Sequence, residues 1–476
     1  MRRRSFLALP AVAAVAEQQR RSLAGDPQRP RYHLLPRANW MNDPNAPIYW
    51  RGRYHMFYQH NPHGAYWAGM HWGHAVSPDM VHWRHMPIAL APVKGGPDKN
   101  GVWSGCAVVN GGTPTVLYTA TMPETQCLAT SHTSDLSVWR RHEQNPVLAK
   151  RPDGLELTGF RDPCVWQEDG TWYMALGSGF KAVGGAVLLY RSPDLVDWTY
   201  MHPLFEGRLD PNATASNPAV RGEMWECPSF FALGDKHVLF VSTQGGTPYW
   251  IGTYKDFRFT PEYDGHLDTG SYYAAITQLD AQGRRILWGW IRERRSGRAQ
   301  RAAGWSGVLS LPRVLVLRRD GRLGMAPAQQ VRSLRGRRRE FANLFAPDGG
   351  AMEIPDLRGD AIELLADWDA LDADEFGIAV LDTPIRYNRA SRHLAVGKER
   401  PAAVPLESNQ RLRLNVFMDC SLIEVFANGR ACVTARAYIP NPAESRVSIW
   451  ARGGSAKLRS LIVYEMKPIS ADRLTT

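Results

Sequence analysis

Short stretches of alternating apolar and polar residues run along most of the chain, and turns containing glycine separate many of them. The clearest examples are residues 48–58 and 165–174, each of which holds two alternating stretches around a central glycine. A period of two interrupted by a glycine turn is typical of a β-hairpin. Comparable patterns begin near Trp103, Glu226 and Tyr272. The pattern predicts five hairpins between residues 32 and about 320, and therefore an all-β fold.

A short segment recurs in the same part of the chain. Residues 77–83 read Ser-Pro-Asp-Met-Val-His-Trp, residues 192–198 read Ser-Pro-Asp-Leu-Val-Asp-Trp, and weaker copies end at Trp139 and Phe259. The copies lie about 60 residues apart, which is too long for most helical repeats but suits four strands with their loops. We therefore expect one blade per repeat and a five-bladed β-propeller over residues 32–325. A β-sandwich with coincidental repeats is the alternative.

The repeat stops after the fifth hairpin, and plain alternation follows. Residues 421–427 alternate in this way, and the next dipeptide, Asn428-Gly429, is a favoured two-residue hairpin turn. Strands at this spacing are typical of an antiparallel β-sandwich. We expect a C-terminal β-sandwich over residues 340–476, with the arginine-rich residues 332–339 as the linker. The sandwich is expected to pack against the propeller, and a docking surface for the substrate is the alternative.

Composition excludes several classes of protein. With 476 residues, 44% hydrophobic and 22% charged, the chain suits two or three globular domains. It has no window of about 18 uncharged apolar residues, so we expect no membrane partner. The net charge is +11, and arginines cluster at 292–301 and 335–339. No known nucleic-acid-binding motif accompanies them, so a solvated basic face is favoured over a nucleic-acid site. Oligomeric state stays open.

The first residues resemble an export signal. Arg2-Arg3-Arg4 precedes an apolar stretch, residues 6–16, that is too short to span a bilayer and ends in Ala-Val-Ala, a plausible cleavage site. Arg3-Arg4-Ser5-Phe6-Leu7 resembles a twin-arginine signal. We therefore expect a signal peptide over residues 1–16 and a periplasmic or extracellular protein. An ordinary secretory leader is the alternative.

The six cysteines lack the paired spacing of a zinc or redox site, so no metal or other cofactor is expected. Cys420 and Cys432 flank the turn at Asn428-Gly429. A two-residue loop would place them opposite Ala437 and Val425, respectively, so they should not form a disulfide. We expect mostly buried free thiols.

Three acidic residues open the first strands of predicted blades: Asp43 in blade one, Asp162 in blade three and Glu226 in blade four. The first strand of each blade lines the central channel, so residues in equivalent positions converge at one end. Like-charge repulsion and partial burial should then raise the pKa of at least one carboxyl. Such a group suits acid–base catalysis.

The same part of the chain is rich in residue types that bind sugars. Sugar rings have apolar faces and many hydroxyls, so their sites combine aromatic walls with fixed polar groups. The candidate aromatic residues are Trp40, Trp67, Trp72, Trp103, Trp290 and Trp305. The candidate polar residues are Asn42, Gln59, Ser104 and Arg161. Most tryptophans in a protein belong to its core, so three or four of these are expected to line the site.

These motifs together resemble the invertase, levanase and inulinase family, family 32 of the glycoside hydrolases. The shared motifs are Trp40-Met41-Asn42-Asp43-Pro44-Asn45, Phe57-Tyr58-Gln59, Trp103-Ser104-Gly105, Arg161-Asp162-Pro163, Trp225-Glu226-Cys227-Pro228, Arg285-Ile286-Leu287-Trp288-Gly289-Trp290 and Glu424-Val425-Phe426. The resemblance runs from about residue 32 to residue 468. It implies a five-bladed propeller followed by a β-sandwich, and hydrolysis of β-fructosides with retention of configuration.

The resemblance also implies a role for each acid. Asp43 matches the family nucleophile, and Glu226 matches the general acid/base, whose pKa we expect to be raised. The two carboxyls should lie about 5–5.5 Å apart in a retaining enzyme. Asp162 matches the acid that stabilises the transition state, and we expect Arg161 to keep it ionised.

Some positions depart from the family pattern. Ala46, Cys106 and Ser229 replace residues that are common in relatives, but none of these changes removes a catalytic group. Residues 242–248 lack the Asp and Lys that plant-type sucrose-cleaving relatives often carry in the corresponding loop, which puts sucrose in doubt as the preferred substrate.

The expected substrate is a fructose-containing oligosaccharide or polysaccharide, namely a levan-type or inulin-type fructan or sucrose, from which terminal fructose is released. A fructosyltransferase could use the same residues. An inverting arabinosidase or xylosidase and a non-catalytic fructan-binding protein are further alternatives.

Overall fold

A computed structural model describes residues 21–212, 217–407, 409–471 and 473–474. The predicted signal peptide, residues 1–16, lies outside the described residues. Nearly all regular structure in the described part is β, and its strands, numbered β1 to β34 in chain order, form seven sheets. Within these ranges no helix is long and apolar enough to cross a membrane.

Five of the sheets follow one another along the chain as blades. Blade one contains β1 (Asn39–Trp50), β2 (Arg53–Asn61), β3 (His71–Ser77) and β4 (Arg84–Leu90). Blade two contains β5 (Val102–Asn110), β6 (Thr113–Ala120), β7 (Thr125–Thr130) and β8 (Arg140–Arg141). Blade three contains β9 (Leu157–Glu168), β10 (Thr171–Phe180), β11 (Gly184–Ser192) and β12 (Thr199–Glu206).

Blade four contains β13 (Glu226–Leu233), β14 (Lys236–Ser242), β15 (Pro248–Lys255) and β16 (Arg258–His266). Blade five contains β17 (Tyr272–Leu279), β18 (Arg285–Ile291), β21 (Arg313–Leu317) and β22 (Leu323–Pro327), with β20 (Val308–Leu309) beside β18. The remaining short strand, β19 (Trp305–Ser306), joins blade one. Residues 21–25 are helical, a second α-helix, Gly297–Ala303, precedes β19, and the 3-10 helices of the described residues are Pro218–Val220, Gln329–Leu334 and Pro442–Glu444.

The five blades form a closed ring. Their first strands, β1, β5, β9, β13 and β17, each contact the next, and β17 contacts β1. We call these the inner strands because they surround the central channel. Strand β19 also runs parallel to β1, with Asn39 opposite Trp305 and Trp40 opposite Ser306, and so ties the end of the propeller to its first blade. The predicted five-bladed β-propeller is confirmed.

The repeated sequence segment forms the turn between the third and fourth strands of blades one to three. In blade one, Asp79 Oδ1 accepts hydrogen bonds from two backbone N–H groups of the turn, at 3.0 and 2.9 Å. The indole N–H of Trp83 donates to the carbonyl of Met80 at 3.0 Å. Trp139 and Trp198 each make the same bond to the residue three positions earlier. The motif recurs because each turn is held by the same two side-chain groups, an aspartate carboxylate and a tryptophan indole N–H.

The other two sheets form the predicted β-sandwich, and all their pairings are antiparallel. One sheet contains, in spatial order, β23 (Arg335–Ala346), β34 (Ala456–Met466), β25 (Ala361–Asp369), β30 (Arg411–Asp419), β31 (Leu422–Ala427) and β32 (Ala431–Arg436). The other contains β24 (Ala351–Arg358), β33 (Arg446–Arg452), β26 (Glu375–Val380), β27 (Thr383–Asn388), β28 (His393–Val396) and β29 (Ala402–Ala403). Buried side chains such as Trp368, Phe376 and Tyr387 fill the space between the sheets.

The connection between the domains differs from the prediction. Strand β22 ends at Pro327 and β23 already begins at Arg335, so the connector is the 3-10 helix Gln329–Leu334 and not residues 332–339. The guanidinium of Arg335 donates to both carboxylate oxygens of Glu363, at 2.6 and 2.8 Å. The arginine-rich segment is therefore largely an edge strand of the sandwich, where charged side chains hinder edge-to-edge pairing.

The turn between β31 and β32 also differs from the prediction. It is three residues long, with Asn428 and Gly429 both left-handed, at φ values of 50° and 60°. Cys432 consequently lies opposite Phe426 and not Val425. All six cysteines are free thiols, as predicted, and four of them are buried.

A buried network of charged side chains joins the two domains. Arg313 of β21 donates to Asp268 at 2.9 Å and also to Glu424 of β31. The ring nitrogens of His33 lie 2.9 Å from Glu424 and 2.7 Å from Asp419. All five side chains are at most 1% exposed. Because such charges are costly to bury unless they are paired, the sandwich and the propeller must stay together to keep them satisfied.

Candidate active site

Every inner strand is interrupted by a β-bulge at or before its middle. The register shifts fall at residues 41–44 in β1, 102–105 in β5, 161–164 in β9, 226–229 in β13 and 273–276 in β17. A bulge bends its strand and re-aims the side chains on it. Since the inner strands surround one channel, the five bulges direct their side chains toward one end of it.

The three candidate acids occupy neighbouring positions within these bulges. Asp162 and Cys227 stand at the same position and are left-handed, with φ values of 64° and 47°, as is Ala274 at 50°. Such a conformation costs a non-glycine residue about 1–3 kcal/mol and is concentrated at functional sites. Counted from the first residue of each bulge, Asp162 and Cys227 are second, whereas Glu226 is first and Asp43 is third. The expectation of strictly equivalent positions is therefore wrong, although the acids still converge.

The thiol of Cys227 lies between two of the acids. Its Sγ is 3.7 Å from Asp43 Oδ2 and 3.6 Å from Asp162 Oδ2. The backbone N–H of Cys227 also donates to Asp162 Oδ2, at 3.0 Å. Glu226 is the adjacent residue in the chain. Residues far apart in sequence therefore meet around the side chain of Cys227.

Asp43 is held by three of the predicted polar ligands. Ser104 Oγ donates to Asp43 Oδ2 at 2.6 Å, and Asn42 Nδ2 donates to Oδ1 at 2.9 Å. Gln59 donates in turn to Ser104 Oγ, at 2.7 Å. These bonds fix the carboxylate in one orientation, which favours attack along a defined direction.

Glu226 is held on both of its oxygens. Arg161 Nη2 donates to Oε1 at 2.8 Å, and the hydroxyl of Tyr273 donates to Oε2. The other terminal nitrogen of Arg161 donates to Glu124 at 2.7 Å. The side chain of Glu226 is 31% exposed, so it remains accessible from the channel mouth. Arg161 was predicted to bind sugar hydroxyls, but the structure shows it bound to two carboxylates.

Burial is the main influence on the pKa values of Asp162 and Asp43. It raises the pKa of Asp162 to about 7, against the opposing charge of Arg161, and the nearby Glu226 and Asp43 raise it further. Burial also raises the pKa of Asp43, although the hydrogen bonds from Ser104 and Asn42 oppose this. The predicted rise in a carboxyl pKa is therefore found. The expectation that Arg161 keeps Asp162 fully ionised is not met, because burial outweighs that charge.

Four of the candidate tryptophans form two pairs beside residues that hold the acids, since Trp103 lies under Arg161 and Trp40 donates to Asn42. Trp67 and Trp103 form an edge-on pair with ring centroids 6.0 Å apart, and Arg161 lies 5.9 Å above the ring of Trp103. Trp67 is 53% exposed, which is unusual for so large an apolar side chain. Trp40 and Trp290 form a second pair, also 6.0 Å apart. These rings provide apolar walls suited to the faces of a sugar.

Trp305 was predicted to bind substrate, and this is wrong. The side chain is fully buried, and its indole N–H donates to Asp26 at 2.7 Å. The guanidinium groups of Arg29 and Arg295 lie over the ring, at 5.6 and 4.2 Å. Trp305 belongs to β19, which closes the ring against β1, so packing at that closure buries it. Trp72 is buried as well, beneath the site.

Several residues of the site were missed from the sequence. Tyr273 stands in β17 at the bulge position of Glu226 in β13, so the blade repeat could have identified it had non-acidic residues been considered. Arg292 lies over Tyr273, 5.4 Å from the ring centroid. Glu124 lies in the turn between β6 and β7, and its contact with Arg161 depends on loop geometry that no local pattern signals.

A five-bladed propeller that brings three carboxylates together beside paired tryptophans is the arrangement of a glycoside hydrolase. Comparison with known families agrees. Residues 33–327 match the glycosyl hydrolases family 32 N-terminal domain, and residues 330–465 match the C-terminal domain of the same family. The chain belongs to glycosyl hydrolase family 32.

Individual relatives are similar over most of their length. The chain is 36% identical to raffinose invertase of Escherichia coli, over 91% of this chain and 94% of the relative. It is 29% identical to levanase of Bacillus subtilis, over 98% of this chain and 74% of the relative. Among solved structures, fructan 1-exohydrolase IIa of Cichorium intybus superposes with a TM-score of 0.83 at 27% identity, covering 93% of this chain and 98% of that one.

Proposed function

We propose that the protein is a retaining β-fructofuranosidase that releases terminal fructosyl residues from levan-type or inulin-type fructans or from sucrose. The observation that carries the proposal is the meeting of Asp43, Asp162 and Glu226 around the thiol of Cys227 in a chain of this family. The relatives' names, invertase, levanase and fructan 1-exohydrolase, support the substrate class.

In the first step, a carboxylate oxygen of Asp43 forms a bond to the anomeric carbon of the fructosyl ring as the glycosidic carbon–oxygen bond breaks. The leaving oxygen takes the proton of Glu226. Asp43 suits the nucleophile because Ser104 and Asn42 hold it. We expect the carboxyls of Asp43 and Glu226 to lie about 5–5.5 Å apart, the separation that leaves no room for a water between carboxylate and sugar.

In the second step, a water oxygen attacks the anomeric carbon and gives its proton to Glu226, while the bond to Asp43 breaks. Fructose leaves and both carboxyls return to their starting states. Asp162, in its ionised form, would accept hydrogen bonds from ring hydroxyls and favour the oxocarbenium-like transition state. Trp67 and Trp103 would form the apolar wall beside the sugar.

The proposed enzyme works outside the cytoplasm. The support is the sequence alone: Arg3-Arg4 followed by a short apolar stretch and Ala14-Val15-Ala16.

A test of the mechanism combines stereochemistry with substitution. Proton NMR of the first product formed from sucrose or inulin should show β-fructofuranose before mutarotation, as retention requires. Glu226→Gln should lower kcat about a thousandfold or more while sugar binding persists, and Glu206→Gln, at the exposed end of β12, should retain activity. Release of the inverted anomer, or unchanged turnover in Glu226→Gln, would contradict the proposal.

The same incubations separate the alternatives. Chromatography of the products from sucrose, levan, inulin and 1-kestose should show free fructose as the main product. Longer oligosaccharides as the main product would indicate a fructosyltransferase. Binding of inulin by the wild-type protein without any turnover would indicate a non-catalytic fructan-binding protein.

A further inference from the structure

The central channel continues beyond the acids into a second cavity, here called the distal cavity. It has a volume of about 580 Å³ and is lined by the later residues of all five inner strands, such as Tyr49 of β1. At roughly 3.3 Å per residue, Tyr49 lies about 20 Å along the strand from Asp43. Pro163, Pro228 and Ile276 line both the distal cavity and a small cavity of about 20 Å³ beneath the acids, so they mark a constriction between the two ends.

Gln278 gives the distal cavity an unsatisfied polar group. The residue lines the cavity and is 4% exposed. Its amide oxygen and nitrogen are both buried and have no hydrogen-bond partner among the described residues. Buried amides are nearly always paired in folded proteins. The amide of Gln278 therefore keeps one donor group and one acceptor unpaired in a residue that lines the cavity.

Arg285 gives the same cavity an uncompensated positive charge. Its guanidinium lies 4.6 Å from the ring centroid of Phe231, and its buried Nε has no partner within the described ranges. In the part of the chain that the structure describes, Arg285 makes no ion pair. Of the two nearby carboxylates that line the cavity, Asp280 is bound to Arg284 at 2.6 Å and Glu168 accepts a hydrogen bond from a tryptophan. Because the side chain of Arg285 is only partly exposed and lacks an ion pair among the described residues, a bound anion would stabilise its charge.

The walls of the distal cavity indicate the rest of the ligand. Phe230, Val165 and Ile276 provide apolar surface, and Tyr49 and Leu279 are large apolar side chains that are 37% and 48% exposed. A ligand that is anionic at one end and apolar over its body would match both the charged group and these walls. A sugar would leave the charge of Arg285 uncompensated.

We propose that the distal cavity is a second ligand site, separate from the proposed active site, that binds a small organic anion with a flat apolar body. The guanidinium of Arg285 and the amide nitrogen of Gln278 would donate to its carboxylate or phosphate oxygens. The constriction at Pro163, Pro228 and Ile276 would keep such a ligand away from Asp43 and Glu226.

Isothermal titration calorimetry of the whole protein tests the proposal, with benzoate as the probe and benzamide as its neutral counterpart. Benzoate should bind saturably to one site, and benzamide at least about tenfold more weakly, because hydrogen bonds to a charged group are the stronger ones. Saturating fructose should not displace benzoate, which keeps the result independent of the proposed catalytic function. Inorganic phosphate is titrated in parallel to ask whether the anion alone suffices. Absence of saturable benzoate binding, or its displacement by fructose, would overturn the proposal.

Three variants assign the site. Arg285→Gln should weaken benzoate binding at least about tenfold, and Gln278→Glu, which keeps the shape but adds a repelling charge, should abolish it. Arg337→Gln, an exposed arginine of β23, should leave it unchanged. If circular dichroism shows that Arg285→Gln does not fold, benzoate binding by Gln278→Glu decides the test. Binding that survives in Gln278→Glu would place the anion elsewhere and refute the assignment.

Discussion

Tyr273 donates a hydrogen bond from its hydroxyl to Oε2 of Glu226, and the two residues hold the same bulge position on neighbouring inner strands. Arg161 holds that position on the preceding inner strand and donates to the other oxygen, Oε1, at 2.8 Å. Three successive blades therefore supply the proposed proton donor and the two groups that orient it. The ring geometry makes this possible because equivalent positions of adjacent blades are neighbours.

Replacing Tyr273 with phenylalanine should lower kcat about tenfold or more. The substitution removes one charge-assisted hydrogen bond, worth about 1.5–3 kcal/mol, and frees one oxygen of the proposed acid to turn away from the leaving group. Steady-state kinetics on inulin or sucrose provide the measurement. Tyr190→Phe removes a buried hydroxyl that has no partner among the described residues and should stay within about twofold of wild type. Equal effects from both variants would show that Tyr273 does not position Glu226.

Local patterns were sufficient to predict the architecture and the acids. The Ser-Pro-Asp-x-x-x-Trp segment encodes a turn through bonds within a few residues of one another, such as that from Trp83 to Met80, so its repetition indicates blades directly. The motifs around Asp43, Asp162 and Glu226 are equally local, because each spans one bulge of one strand.

What the sequence did not predict depends on contacts between distant segments. Trp305 is of a residue type that often lines sugar sites, yet pairing of β19 with β1 buries it completely. Arg161 lies in the expected strand, but its partners Glu124 and Glu226 come from a turn of blade two and from blade four. A pattern along one strand carries no information on which loop covers it, so these roles depend on tertiary contacts that the sequence does not show.

Export through the twin-arginine route should depend on Arg3 and Arg4. Replacing both with lysine keeps the charge but removes the arginine pair that the proposed signal needs. In cell fractionation, the wild-type enzyme activity should lie outside the cytoplasm, and that of the double variant should stay inside. Lysine at Arg20 and Arg21, beyond the proposed cleavage site, serves as the control. Normal export of the Arg3 and Arg4 variant would favour an ordinary secretory leader instead.

The interdomain network should make stability depend on pH through His33. Burial alone would lower the pKa of this residue, but its bonds to Asp419 and Glu424 outweigh burial and raise it to about 9. The ordinary value is about 6.5, so folding favours the protonated ring. The stabilisation of the fold by the protonated ring of His33 is fully present below about pH 6.5 and is lost as the pH rises through about 9.

His33→Gln should therefore destabilise the protein by about 2–3 kcal/mol at pH 6 and by much less at pH 10. Thermal unfolding of variant and wild type at each pH measures the difference. His82→Gln, in an exposed turn where the ring pairs with Asp79, should change stability by less than about 1 kcal/mol at either pH. An equal loss for His33→Gln at both values would mean that packing, not charge, explains its role.

The ionised carboxylate of Asp162 should lower the stability of the fold but support catalysis. Its pKa is raised to about 7 in the fold, chiefly by burial, whereas an unfolded aspartate has a value near 3.9. The fold therefore favours the protonated acid, and the contribution of Asp162 to stability falls as the pH rises from about 4 to about 7. An asparagine side chain cannot ionise, so Asp162→Asn should be more stable than wild type at pH 8, by about 1–4 kcal/mol, and nearly equal to it at pH 4.

The same substitution should lower kcat at least about a hundredfold, because the neutral amide cannot stabilise positive charge on the sugar. Calorimetry at the two pH values and kinetics at pH 7 check both effects, with Asp169→Asn in an exposed turn as the control. A variant that is less stable at pH 8 would show that the ionised carboxylate is favourably solvated in the site.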